Sequence, residues 1–229
     1  MKFKLSQLFK KKSTPRFTFL DIGFHGDTYL INVVKQLQRQ MNVFVETGSN
    51  VATTLAFVAK NNPDVQCISC EPDDQAYAHA INNTKHYPNV TLYKQLSQDF
   101  LKTLKEKHTD IFDKNVVFWI DAHSYGFDWP LQLEIEFITS NFKNYFILID
   151  DFKVPHLPEF NFDVYKDQIC SFEYIKDYIA SDNYALYYPN YIEKTSKHHP
   201  LQGWGLISSE NVNFDENVKK YIKIEREVK

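Results

Sequence analysis

The sequence predicts a doubly wound α/β domain on a mostly parallel sheet. Strand and helix patterns alternate from about residue 27 onward. The stretches Val116–Ile120 and Phe146–Ile149 are continuously apolar, as strands covered on both faces must be. The composition is that of a globular chain with ample core material: 43% hydrophobic, 24% charged and 16% aromatic over 229 residues.

The elements follow in order. Leu30, Val33, Val34 and Leu37 fall at i, i+3, i+4 and i+7, one buried helical stripe. Val43 to Glu46 is a short strand, followed by a turn and a helix from about Val51 to Lys60, which Asn61-Asn62-Pro63 stops. Gln66 to Cys70 is the second strand. The next helix carries Ala76, Ala80 and Thr84 on one side and breaks at Tyr87-Pro88-Asn89. Val90 to Tyr93 is the third strand. Ser97 is placed to cap a helix running to about Lys107, with Asp99 in its first turn. Val116 to Asp121 is the fourth strand; Leu131, Ile135 and Ile138 mark a helix after Pro130; Phe146 to Ile149 is the fifth strand. A helix near Ile169 to Ile179, then strands near Tyr184 to Tyr188 and Gly205 to Ser208, bring the sheet to seven strands. The mixed-charge end, Lys219 to Lys229, reads as a solvated helix or strand edge.

Residues 21–229 form one domain, preceded by a basic extension over residues 1–20. That extension holds six Lys/Arg and no acid, so the rest of the chain is distinctly acidic although the whole carries only −3. An acidic body argues against nucleic acid as a partner. Residues 1–16 suit a solvated tail better than weak contact with an anionic membrane surface, because their apolar spacing is poor for one helical face. No apolar run is long enough to span a bilayer. Three cysteines, with Cys67 and Cys70 on a strand, read as buried thiols of a reducing, cytoplasmic setting.

Ligands of an open parallel sheet bind beyond the carboxyl ends of its strands. Those ends carry Glu46-Thr47-Gly48-Ser49-Asn50, Glu71-Pro72-Asp73, Ser97 and Asp99, Asp121-Ala122-His123, and Asp150-Asp151. Carboxylates at four of five ends are costly as mere packing. The first turn has one glycine where a dinucleotide fingerprint has three, and Glu46 there would repel a pyrophosphate. Gly48 permits close backbone approach. Glu71, 25 positions after Glu46, stands near the spacing at which an acid meets a ribose hydroxyl pair. His123 beside Asp121 is the best candidate general base. Tyr125, Phe127, Trp129 and Trp204 are candidates for pocket walls, and His198-His199-Pro200 for a surface loop over the cleft.

In that order, Val45-Glu46-Thr47-Gly48, Ser69-Cys70-Glu71-Pro72, Trp119-Ile120-Asp121-Ala122-His123-Ser124-Tyr125 and Ile149-Asp150-Asp151-Phe152 resemble class I S-adenosylmethionine-dependent methyltransferases. The likeness is nearest to the small-molecule O-methyltransferase group and covers about residues 42–152. It implies a Rossmann-like methyltransferase fold with an antiparallel element near the C-terminus. It also implies S-adenosylmethionine as cofactor and methyl transfer to a hydroxyl of a small molecule such as a sugar or glycan precursor. By the same resemblance Glu46, Thr47, Gly48 and Ser49 hold the methionine end, Glu71 and Pro72 the ribose side, and Ser97 and Asp99 the adenine edge. Asp121 faces the cofactor or a metal. Asp121, Asp150 and Asp151 match positions that hold a divalent cation, for which Mg²⁺ is suited. Asp121-Ala122-His123 is one residue shorter than the group's Asp-Gly-Asp-His, which removes one carboxylate. The rivals are a nicotinamide-dependent oxidoreductase on a related sheet and a catalytically silent scaffold of the same fold.

Overall fold

The computed structural model describes Leu20, residues 22–123 and residues 129–229. Helix α1 (Thr28–Leu37) starts where the Asp27 carboxylate accepts the Tyr29 and Leu30 amides, and it buries the expected stripe. Strand β1 (Val43–Thr47) is buried throughout, and α2 (Thr53–Asn61) follows its turn. Strand β2 (Gln66–Cys70) leads to α3 (Asp74–Thr84), which is capped by Asp73. Strand β3 (Val90–Tyr93) leads to α4 (Ser97–Lys107), β4 (Asn115–Ile120) to α5 (Leu131–Asn141), and α5 to β5 (Asn144–Asp150).

The order β3-β2-β1-β4-β5 is parallel, with helices on both sides. Strand β9 (Trp204–Ser208) pairs antiparallel with β5, followed by β8 (Ala185–Pro189) and β10 (Ile222–Arg226). The sheet therefore has eight strands rather than seven. The extra one is β10, preceded by the short helix α7 (Glu216–Lys219). Its Lys223 and Glu225 face outward on an edge that charge protects from further pairing.

Two other expectations change. The helix expected from Ile169 to Ile179 shrinks to α6 (Phe172–Ile175) and a 3₁₀ turn, Lys176–Tyr178. Ile169 belongs instead to a small hairpin, β6 (Val164–Tyr165) with β7 (Gln168–Ile169). Cys170 N donates to Asp163 O and Lys153 N to Cys170 O, so backbone pairing takes those residues out of the helix. Ser97 does not cap α4. Leu96 occupies the extended cap position, and the Ser97 hydroxyl turns inward to Glu134.

Cys67, Cys70 and Cys170 are free, buried thiols. Burial pushes Cys67 up to about 12, so it stays protonated. No helix among the described residues is long and apolar enough to cross a membrane.

Gly203 sits where the chain passes Phe152: Phe152 N donates to Gly203 O at 2.9 Å, and a Cβ at Gly203 would overlap Phe152 O. Gly203→Ala therefore costs about 3 kcal/mol. The thermal midpoint should fall by roughly 6–12 °C in a circular dichroism melt. Gly23→Ala meets no backbone, only Phe57 Cβ and ring atoms at 3.1–3.2 Å that must give by a few tenths of an ångström, and should cost about 1 kcal/mol. Equal losses for the two variants would refute this account of the Phe152 contact.

Candidate functional site

The rim begins at the end of β1. Gly48 has φ +77°, and a Cβ there would lie 2.5 Å from Asp121 O. Only glycine lets the ends of β1 and β4 approach so closely, with Asp121 N donating to Thr47 O at 3.1 Å. The Gly48 and Ser49 amides both donate to Cys70 O. Asn50 and Ala52 continue the turn at φ 50° and 61°, a strained route for non-glycine residues. The Ser49 hydroxyl is buried without a partner among the described residues.

Glu46 is buried beneath this turn and accepts the Ser69 hydroxyl at 2.8 Å. Burial, with Asp121 and Glu71 behind it, pushes its pKa up to about 8. A cationic group arriving there would hold the carboxylate ionised. Glu71 accepts the Asn50 amide at 2.7 Å and the Asp73 amide at 2.9 Å, tying the first turn to the second. Burial also raises its pKa. Beside it, Pro72, Gln95, Leu96 and Asp99 line an open groove of about 530 Å³.

Asp121, His123 and Asp151 form the centre. One ligand atom from each lies within 4.8 Å of the others. His123 Nε2 stands 3.3 Å from Asp121 Oδ1 and Nδ1 3.0 Å from Asp163 Oδ2. The Tyr165 hydroxyl lies 2.5 Å from the same Nδ1 and donates to Asp163. The bond to Asp121 raises the His123 pKa to about 9. Burial raises Asp121 to about 6 and Asp151 to about 8, with Asp150 adding repulsion to both. Asp151 has φ 49° and accepts the Gln202 side-chain amide.

Asp150 lines the same cavity as Asp121, His123 and Asp151, and its Oδ1 is buried without a hydrogen-bond partner among the described residues. Its Oδ2 lies 2.5 Å from His25 Nε2. Burial alone would lower the His25 pKa; Asp150, reinforced by Asp121 and Asp151, outweighs it and lifts the value to about 10. The structure thus gathers Asp121 and Asp151 with His123, and Asp150 with His25. Ser97 is not on the open groove. It donates to Glu134, fully buried on α5, whose pKa burial raises to about 7.

Sequence reasoning missed His25, Glu134, Asp163, Tyr165 and Gln202. Only Glu134 left a signal: it is an acid on the buried stripe of Leu131, Ile135 and Ile138. Trp129 stacks on Tyr174 at 5.0 Å and donates to Ala122 O, fixing the wall after β4. Trp204 is core, its ring N–H donating to the Tyr191 hydroxyl. Tyr125 and Phe127 lie outside the described residues. His199 reaches the rim, its ring 4.8 Å from that of His25.

No protein-family model matches the sequence, and no curated protein matches it. Solved structures do match in shape. An O-methyltransferase from Bacillus cereus, in complex with SAH, aligns at TM-score 0.55 with 13% identity over 79% of both chains. The O-methyltransferase TomG from Streptomyces achromogenes, in complex with SAM, aligns at 0.55 with 12% identity over 79% of this chain and 78% of its own. Cofactor-bound Rv0187 from MTB aligns at 0.55 with 12% identity over 87% and 85%. The chain has the fold of these proteins: a Rossmann-like methyltransferase sheet with its antiparallel strands toward the C-terminus.

Proposed function

We propose that the protein transfers a methyl group from S-adenosylmethionine to a hydroxyl of a small molecule, in the class of sugars and glycan precursors. The observation that carries this is the meeting of the Gly48 turn, Glu46 and Glu71 with the Asp121–His123–Asp151 group on one rim. The fold shared with O-methyltransferases solved with SAM and SAH supports it.

The cofactor supplies an electrophilic methyl on a sulfonium centre; the chain supplies binding, orientation and a proton acceptor. Gly48 brings the ends of β1 and β4 together, and Glu46 and Ser49 offer a carboxylate and a hydroxyl to the amino-acid end. Glu71 offers its remaining lone pairs to a ribose diol. Pro72 and Asp99 flank the groove where the adenine edge would lie, and Ser97, off that groove, is bonded inward to Glu134. Alignment of donor and acceptor does most of the catalysis.

His123 has two exclusive roles. Without a cation its neutral form, which a pKa raised to about 9 makes a minority at pH 7 and the majority only in alkali, takes the acceptor's proton, oriented by Asp121 and Asp163. Were a cation bound, Asp121, His123 and Asp151 would hold it, and it would supply Lewis-acid polarisation of the acceptor hydroxyl. The crowded, raised carboxylates fit a cation, and a mixed oxygen and nitrogen set admits Mn²⁺ as well as Mg²⁺.

S-adenosylhomocysteine at a hundredfold excess over its Kd should stabilise the protein by about 2.7 kcal/mol, raising the thermal midpoint by roughly 5–11 °C. Glu71→Gln should weaken its binding at least tenfold by calorimetry. Stabilisation by NAD but not by S-adenosylhomocysteine would end this reading in favour of an oxidoreductase; stabilisation by neither would favour a silent scaffold.

His123→Ala should lower turnover roughly 10²- to 10⁴-fold. Its S-adenosylhomocysteine affinity should stay within about threefold, since His123 lies at the acceptor side. Mass spectrometry of a sugar and polyol panel, scoring the gain of one methyl, gives the rate. Loss of activity in excess chelator, restored by Mn²⁺ or Mg²⁺, together with weaker Mn²⁺ binding in His123→Ala, assigns His123 as a ligand; full activity in chelator leaves it the base.

A further inference from the structure

No other carboxylate among the described residues is as buried as Glu134, at 0% exposed. It sits in the first turn of α5 on an otherwise apolar stripe, with Leu131, Ile135 and Ile138. Packing alone would be served by another apolar side chain there, since taking an acid out of water is costly. Its hydrogen bond among the described residues comes from the Ser97 hydroxyl. The Thr47 hydroxyl, one residue before Gly48, favours its charge. Yet Thr47 Oγ1 and Glu134 Oε2 are both buried without a completed hydrogen bond among the described residues.

Ser97 gives up a helix cap for this bond. Helix α4 starts after Leu96 with no side-chain hydrogen bond to its first amides, and so forgoes what a serine cap contributes. Leu96 and Asp99, which flank Ser97 in the chain, line the open groove beside Pro72. Gln95, on the same wall, accepts the Thr103 hydroxyl at 3.0 Å. The far end of the tie reaches the reaction centre. Glu134 N donates to Pro130 O at 3.0 Å, and the preceding Trp129 donates its ring N–H at 3.1 Å to the carbonyl of Ala122, the residue between Asp121 and His123. One set of contacts thus joins the groove to the end of β4, by way of Ser97, Glu134 and the start of α5.

We propose that Glu134 is a positioning residue for the methyl donor: through Ser97 it fixes the groove at a set place relative to the end of β4, without touching the ligand. This rests on the reading of the rim as an S-adenosylmethionine site; it does not rest on a cation or on the acceptor. A buried acid used in this way adds little to stability, because an apolar side chain of its size packs as well. What it adds is a single arrangement of two elements that meet the same ligand, and misplacing one of them weakens any ligand that spans both.

The test pairs calorimetry of S-adenosylhomocysteine with thermal melts in Glu134→Gln, Glu134→Met, Ser97→Ala and the double variant Ser97→Ala/Glu134→Met. Glutamine keeps an oxygen for the Ser97 hydroxyl, so Glu134→Gln should bind within threefold of the wild type. Glu134→Met should bind at least tenfold more weakly, while its thermal midpoint stays within about 3 °C of the wild type or rises. Ser97→Ala should match that loss of affinity. The double variant should bind no more weakly than Glu134→Met, since both changes remove one tie. Hydrogen exchange on the ligand-free protein reads the tie without the donor: amides of residues 97–101 should exchange at least tenfold faster in Glu134→Met, with β5 and β9 unchanged. Wild-type affinity in Glu134→Met overturns the proposal. So do an equal loss in Glu134→Gln, a loss that comes only with a fallen midpoint, additive losses in the double variant, or unchanged exchange at the start of α4. A wild type that binds no S-adenosylhomocysteine ends the donor reading instead. In that case faster exchange at residues 97–101 still supports the tie, and unchanged exchange overturns it.

Discussion

Glu46, Glu71, Asp121, Asp150 and Asp151 crowd one rim of a buried sheet, and like charges at that density cannot all stay ionised. Every other feature of the site answers this repulsion. Glu46 keeps a proton under a serine hydroxyl. Glu71 spends its charge on two backbone amides. Asp150 is paired with one imidazole, and Asp121 shares another with Asp163. What remains is a strong demand for positive charge at the first turn and at the Asp121–Asp151 edge. The sulfonium donor proposed above, with its amino group, would answer the first demand, and a divalent ion would answer the second.

The architecture makes this crowding possible. Parallel strands point their carboxyl ends the same way, so acids far apart in sequence arrive on one rim. Gly48 then lets β1 and β4 close up to backbone contact. The antiparallel strands extend the sheet beyond β5 and send the segment between β8 and β9 back over the rim. From that segment Ser196 holds the turn at His25, His199 covers it, and Gln202 binds Asp151. The site is therefore closed by residues on both sides of the core pattern, before α1 and after β8.

The α1 stripe, the first five strands and the acids at four of their five tips were legible in the sequence. Each is a local pattern: a 3.6-residue period, an apolar run, a polar break after it. The resemblance to methyltransferases rested on those same tips, and the fold agrees with it. Less was legible where backbone pairing competes with helix periodicity, as at Ile169 and Cys170, or where a charged strand lies on an edge, as at β10.

What the sequence by itself determined is the elements as far as β5, their order and the chemistry their strand ends present, because alternation and turn chemistry act over a few residues. Only the tertiary structure decided the partners. Asp150 meets a histidine 125 positions away, Asp151 a glutamine 51 away, and Ser97 a glutamate 37 away in place of its own helix end. These pairings depend on where distant segments cross. A polar group forced out of water takes whichever partner the crossing chain brings within reach, and no local pattern records that.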